Sequence, residues 1–281
     1  MSTEPHRPID ERDSACRPTL ENAMRSTTDS SRTTIGAPHN HDASARTVII
    51  PRGCNGPPDS AQGGWMAGLI AERVGLAATV TLRSMPPLET PLSVESGCDV
   101  VRVRHGQAVV GEGRPQSLAA AAPRTVSWDE ALEGRAAYLT QIAPTHPFPT
   151  CFGCGPDRSP DNALRIFAGP VPRRDLVAAP WEVTDVLDEG HVSIPLVWAA
   201  MDCPTASAFA LSDQPEPVGV VLLANLALDI KALPSFGDRC VITAWPLGRA
   251  GRKWSSGGAL LSPDGTVLAT AEALWIEPRS R

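Results

Sequence analysis

Lysine is nearly missing from this chain of 281 residues: only Lys231 and Lys253 occur. Arginine carries most of the positive charge, and acidic residues still outnumber basic ones, for a net charge of -6. A chain with that balance has no basic footprint for a phosphate backbone, so no nucleic-acid partner is expected. Scarce lysine, many alanines and 28 prolines fit a GC-rich bacterial source. No apolar run reaches the roughly 18 residues that read as a membrane span, so no membrane partner is expected. The first residues lack an apolar signal core, which predicts a cytoplasmic location. Walker and dinucleotide fingerprints are missing, as is a Gly-x-Ser-x-Gly nucleophile elbow, so no cofactor is expected and an α/β-hydrolase site has no support.

What is present is enough for a sizeable core. Hydrophobic residues make up 42% of the chain, and the length suits one large or two ordinary domains. Residues 1–45 are rich in Ser, Thr, Arg, Asp and Pro and too poor in large apolar groups to offset their ordering entropy, so they read as a disordered tail. Residues 46–113 form a first unit: a short strand, a loop punctuated by Pro57-Pro58 and Gly63-Gly64, an apolar helix, then several strands. Residues 114–147 are a connector with a short helix, opened by the capping box Ser127–Glu130. Residues 148–281 repeat the first plan at greater length. Strands are expected near Leu164–Phe167 and Val177–Val183, then a long apolar segment, Ile194–Leu211, interrupted by Pro204. Four more strands follow, the last two joined by a hairpin turn at Pro263-Asp264-Gly265.

The seven cysteines are read as reduced thiols. Cys151-x-x-Cys154 has the spacing of half a zinc site, with His146 close by in sequence. A closed structural site needs four ligands and no second CxxC exists, so the pair is read as a tight turn and no metal is expected. A redox dithiol is disfavoured because no helix-forming apolar stretch follows the pair.

The segment CFGCGPDRSPDNALRIFAGPV, Cys151–Val171, resembles a stretch common in hotdog-fold acyl-CoA thioesterases, with Ala163 standing where that family usually has Gly. The order of elements in each half, one apolar helix followed by antiparallel strands, resembles the double-hotdog members of the family, including the thioesterase II type. The resemblance implies an α+β fold of two fused hotdog units, each an antiparallel sheet wrapped around one long helix. It also implies hydrolysis of an acyl thioester, with acyl-CoA or an acyl-carrier thioester as substrate. Such units work in pairs, and a homodimer of the whole chain is compatible with this.

Two sets of residues fit that chemistry. Gln62-Gly63-Gly64 opens the first helix, where backbone N–H groups lack partners and the helix dipole favours negative charge. Gly63 and Gly64 let a carbonyl approach, so their N–H groups could hold the oxyanion of a tetrahedral intermediate. Gln62 stands where the family commonly has His or Asn. Asp202 is the only charge between His191 and Asp213, inside the apolar segment. It reads either as a general base or nucleophile, as the resemblance implies, or as a dipole partner of a helix that Cys203 caps ahead of Pro204. Asp59 in the loop before Gly63, and Trp65 and Trp198 on the helices, are candidate pocket residues, though core packing explains the tryptophans equally well. Arg252 and Lys253, in the run GRAGRK, could meet the phosphates of coenzyme A or form a solvated turn. The alternative function is a non-catalytic hotdog module that binds an acyl or other apolar ligand. A hydroxyacyl dehydratase using His191 is less favoured, because Gly190-His191-Val192-Ser193 lacks the Gly-His-Phe-Pro phrase of that family.

Overall fold

The computed structural model describes residues 46–118, 124–187, 189–211 and 219–279. The expected tail, residues 1–45, lies outside them. Eleven strands among the described residues form one sheet: β1 (Thr47–Val48), β2 (Ala77–Leu82), β3 (Leu92–Ser96), β4 (Val101–His105), β5 (Ala108–Pro115), β6 (Gly169–Pro170), β7 (Val177–Glu182), β8 (Leu222–Ile230), β9 (Arg239–Ala250), β10 (Lys253–Leu261) and β11 (Val267–Ile276). Three α-helices among the described residues accompany it: α1 (Gly63–Val74), α2 (Trp128–Ala137) and α3 (Ile194–Ser207).

The sheet order is β1-β3-β4-β5-β2-β8-β11-β10-β9-β7-β6, and every neighbouring pair is antiparallel. Read outward from the β2–β8 seam, each side has the same order. The strand after the helix comes first, then the last strand of that half, then the preceding ones in turn. The seam pairs Ala77 with Asp229 and Thr81 with Asn225. Asn225 fastens it by donating to the Thr81 hydroxyl at 3.0 Å and to the Val80 carbonyl at 3.1 Å.

One apolar cluster runs from Val48 to Trp275 and includes residues of α1, α3 and both sides of the seam. Strand alternation supplies it: on β11, Ala269, Ala271, Ala273 and Trp275 point inward. Small inward residues let the helices lie close. A Cβ on Gly113 of β5 would sit 2.5 Å from Ile70 of α1. The second cluster lies on the opposite face, where Ala131 of α2 meets Ala178 of β7, Trp245 and Leu261. Both faces of β7 are therefore covered, which is why its residues Val177–Trp181 are all buried rather than alternating. The connector helix is thus a second covering layer. Its Ser127–Glu130 capping box is formed as the sequence predicts.

Two local expectations fail. Leu164–Phe167 is not a strand. Arg165 has a φ of 53°, and the Leu164 and Ile166 N–H groups bond to the carbonyls of Phe152 and Gly153 instead. The alternating apolar residues pack against the Cys-Phe-Gly-Cys turn, not against a sheet neighbour. Pro204 neither starts nor caps a helix: α3 begins at Ile194, is capped by Ser193, whose hydroxyl accepts from the Leu196 N–H, and runs through Pro204 to Ser207. With the 3-10 turn that follows, Ile194–Leu211 is an 18-residue helical stretch apolar enough to cross a membrane by length and composition. It is 72% buried inside the protein, so a core helix accounts for its hydrophobicity.

Candidate active site

Helices α1 and α3 run antiparallel in direct backbone contact. A Cβ on Gly64 would lie 2.5 Å from the Trp198 carbonyl oxygen and 2.5 Å from the Asp202 Cβ. One turn on, a Cβ on Gly68 would lie 2.4 Å from the Pro195 Cα. Glycine inside a helix costs about 1 kcal/mol relative to alanine. Here it permits a helix approach that no other residue allows.

The approach brings Asp202 to the first turn of α1. Its Oδ2 accepts the Gly64 backbone N–H at 2.8 Å, one of the donors a helix start leaves without a partner. Asp202 is 2% exposed, and its other oxygen, Oδ1, is buried with no hydrogen-bond partner among the described residues. The Trp198 Nε1, one turn earlier on α3, is likewise buried without a partner. Burial pushes the Asp202 carboxyl up to about 8 while the Gly64 N–H pulls the other way. A carboxyl poised near neutrality can take up and release a proton, which is what general acid–base chemistry requires.

Gln62 fixes this corner. As N-cap of α1 its Oε1 accepts the Trp65 N–H at 2.6 Å, and its Nε2 donates to the Ala199 carbonyl on α3 at 3.0 Å. Nε2 also lies 3.6 Å from the Cys203 sulfur. Glutamine supplies an acceptor and a donor on one arm, so it caps one helix and ties it to the other. Gly63, the first residue of α1, is half-buried; a Cβ there would meet Leu223 of β8 at 2.9 Å.

The other predicted residues sit apart from this corner or in the core. Trp65 and Trp198 are fully buried, and Trp65 meets Phe152 edge-on with ring centroids 5.8 Å apart. Asp59 is exposed in the loop turn before α1. Arg252 and Lys253 are exposed at the β9–β10 turn, where Arg252 donates to the Glu277 carbonyl. Strand β10 faces α3 at Gly258, where an added Cβ would lie 3.5 Å from Met201 and from Thr205. Lys253, five residues away along an extended strand, is about 17 Å from that contact. His191 is exposed and bonds to the Glu189 carbonyl ahead of α3. It lies before the N-terminal end of α3, whereas Asp202 is near the other end, so no His–Asp pair forms.

Two features were not foreseen. The sulfur of Cys203, next to Asp202, meets those of Cys151 and Cys154, all within 4.8 Å of one another. A lone cysteine beside the one charge of an apolar helix was the available signal. The second is Glu72, near the C-terminal end of α1. Burial pushes its carboxyl up to about 7, Arg73 opposes that, Glu189 adds to it and His191 opposes it.

No protein-family model matches this chain, and no curated protein matches it in sequence. Solved structures do match. The TesB protein of Mycobacterium avium subspecies paratuberculosis aligns with 83% of this chain and 92% of its own, at 12% identity and a TM-score of 0.54. A protein described as thioesterase II from Thermobifida fusca aligns with 83% of this chain and 93% of its own, at 12% identity and a TM-score of 0.52. The dehydratase domain of a mycocerosic acid synthase-like polyketide synthase aligns with 84% of this chain and 91% of its own, at 14% identity and a TM-score of 0.53. At such identities the likeness establishes the fold alone. The chain has the hotdog fold of the thioesterase II-type structures, and a dehydratase shares that fold to the same degree.

Proposed function

We propose that this protein hydrolyses acyl thioesters, acyl-CoA or acyl-carrier, with Asp202 as the base and the first turn of α1 as the oxyanion site. The observation that carries the reading is the Asp202–Gly64 pair: a buried carboxyl with one oxygen on a helix-start N–H and the other unpartnered. Water held by the free oxygen gives up a proton to Asp202 as its oxygen attacks the thioester carbonyl carbon. The carbonyl oxygen, now negative, takes the N–H groups of Gly63 and Gly64, which α1 presents with its positive dipole end. The intermediate collapses, the C–S bond breaks, and the proton on Asp202 passes to the departing thiolate. In the free protein the Gly64 N–H is engaged by Asp202, so substrate binding exchanges one acceptor for another at that donor. Gly63, half-buried beside Leu223, marks the side from which an acyl thioester reaches the pair. Trp65 and Trp198 wall the corner, and Gln62 holds it in register. Arg252 and Lys253 are offered to the phosphates of coenzyme A from an exposed turn, and Asp59 to the rim of the loop.

The same reading takes the chain as a duplicated unit, residues 46–113 and 148–281 joined by the connector 114–147, with the mirrored strand order as its support. Dehydration is disfavoured by the exposed His191, which is not paired with Asp202. A second reading, a non-catalytic module binding an apolar ligand, is favoured by the closure of the corner: the Gly64 N–H is taken and Asp202 is buried. The test is release of free thiol from acyl-CoAs of short to long chain, by the protein and by Asp202→Asn. Turnover that collapses in the variant is expected. Turnover that survives it removes Asp202 from the reaction. No turnover by the folded wild-type chain on any substrate, with retention of an acyl ligand, sinks the enzyme reading in favour of the binding module.

A further inference from the structure

Cys151, Cys154 and Cys203 are buried and carry no disulfide. They come from two places in the fold: the Cys-Phe-Gly-Cys-Gly turn and helix α3. The Cys151 and Cys203 sulfurs are 3.8 Å apart, too far for a disulfide and matching the edge of a tetrahedron of about 3.8 Å that zinc–sulfur bonds of about 2.3 Å would span. The His146 Nε2 stands 3.2 Å from the Cys154 sulfur but outside the three-sulfur cluster, so it completes a tetrahedron only by turning toward the other two sulfurs.

The Gln62 Nε2 is turned to Cys203, 3.6 Å from its sulfur. Outer donors of this kind are what a charged sulfur–metal centre uses to orient its ligands. The turn itself is rigid: Gly155 N–H bonds to the Cys151 carbonyl at 2.8 Å, and the Tyr138 hydroxyl donates to the Cys154 carbonyl at 2.8 Å. A Cβ on Gly153 would lie 2.8 Å from the Cys203 sulfur, so glycine is needed for α3 to deliver its thiol.

We propose that Cys151, Cys154, Cys203 and His146 bind one zinc ion, which staples the Cys-x-x-Cys turn to helix α3 beside Asp202. Binding exchanges three thiol protons for the metal, leaving a three-thiolate, one-imidazole centre. His146 now accepts the Phe148 N–H at Nδ1, at 3.0 Å, which places the proton on Nε2. Ligation through Nε2 moves that proton to Nδ1 and releases the Phe148 N–H, exchanging a single hydrogen bond for a metal bond. The soft, closed donor set selects zinc over oxygen-seeking cations. Metal uptake by these residues does not depend on thioester hydrolysis.

The test is titration of the chelator-stripped full chain with cobalt(II), then displacement by zinc. One cobalt per chain is expected, with the intense visible bands of tetrahedral cobalt and a near-ultraviolet thiolate-to-metal charge-transfer band. Cys203→Ser is expected to weaken cobalt binding more than about a hundredfold, beyond the effect of losing an outer-shell partner. His146→Ala should weaken it less and keep the charge-transfer band, because the sulfurs remain. Cys240→Ser, a buried cysteine outside the cluster, should bind as the wild type does. If Cys203→Ser fails to fold, the stoichiometry and spectrum of the wild-type chain decide alone. No cobalt uptake, a pale octahedral spectrum, or unchanged binding by a folded Cys203→Ser would each overturn the proposal.

Discussion

The antiparallel pair of α1 and α3 has two ends, and the ends differ in a telling way. At one, the N-terminus of α1 meets Asp202 of α3. At the other, Glu72 of α1 feels the charges of Glu189 and His191 in the chain leading into α3. Both carboxyls are raised by burial, Asp202 to about 8 and Glu72 to about 7. Their partners are unlike. Gly64 offers a backbone N–H that Asp202 takes at 2.8 Å, whereas Pro195 at the start of α3 has no N–H to offer. Glu72 has a neighbouring cation in Arg73, at 3.9 Å, and Asp202 has no ion pair among the described residues. A helix start with glycine leaves an N–H for an isolated acid to take; one with proline leaves none, and its acid is met by charges instead.

The largest expected difference is in hydrolysis. Asp202→Asn should cost about 10²- to 10⁴-fold in kcat, the usual worth of a general base, while Glu72→Gln should stay within about twofold. Steady-state thiol release measures both; equal losses would erase the distinction between the ends. Next is packing. Gly64→Ala and Gly68→Ala force α1 away from α3 and should each lower stability by about 1–3 kcal/mol, in the range of overpacked cores. Denaturant unfolding checks this, and a neutral Gly64→Ala would mean the helices can part at that end. Gly53→Ala, with nothing within 4 Å of the new methyl, should change stability little.

The smallest effect is the pH dependence at the Glu72 end. The folded protein holds the Glu72 proton more tightly than an unfolded chain, whose carboxyl titrates near its ordinary 4.5. Its contribution is therefore fully present below about pH 4.5 and lost as pH rises through about 7. Arg73, Glu189 and His191 are the charged groups that act on it from α1 and the loop before α3. Glu72→Gln should flatten that part of the stability profile, read as a small shift in melting temperature at pH 8 relative to pH 5. Parallel curves for the two proteins would remove Glu72 as the cause.

Much of the fold was legible because its signals are local. Gly63-Gly64 before Trp65, Ser127 three residues ahead of Glu130, and Pro263-Asp264-Gly265 between two alternating runs each mark an element by its own chemistry. The misread strand at Leu164–Phe167 shows the limit. Alternation says that a segment is half-buried, but not whether its partner is a sheet or a turn. Pro204 shows another: a proline in a helix is tolerated where the packing around it holds the helix, and Thr205 adds a hydroxyl bond to the Asp202 carbonyl at 2.6 Å. The candidate site was half legible. Asp202 stood out as one charge among apolar neighbours, and Gly64 as a helix start. Their meeting across 138 residues of chain has no local trace.

The sequence by itself determined the antiparallel-strand-rich character of the chain, the placing of the core helices and the identity of an acid that burial would perturb, because hydrophobic period, caps and turn residues act over a few positions. Only the tertiary structure decided which helix start Asp202 faces, that the cations at Arg252 and Lys253 lie far along β10, and that Cys203 joins the pair in the Cys-x-x-Cys turn. Those are distances across the fold, set by how closely glycine lets two helices pack.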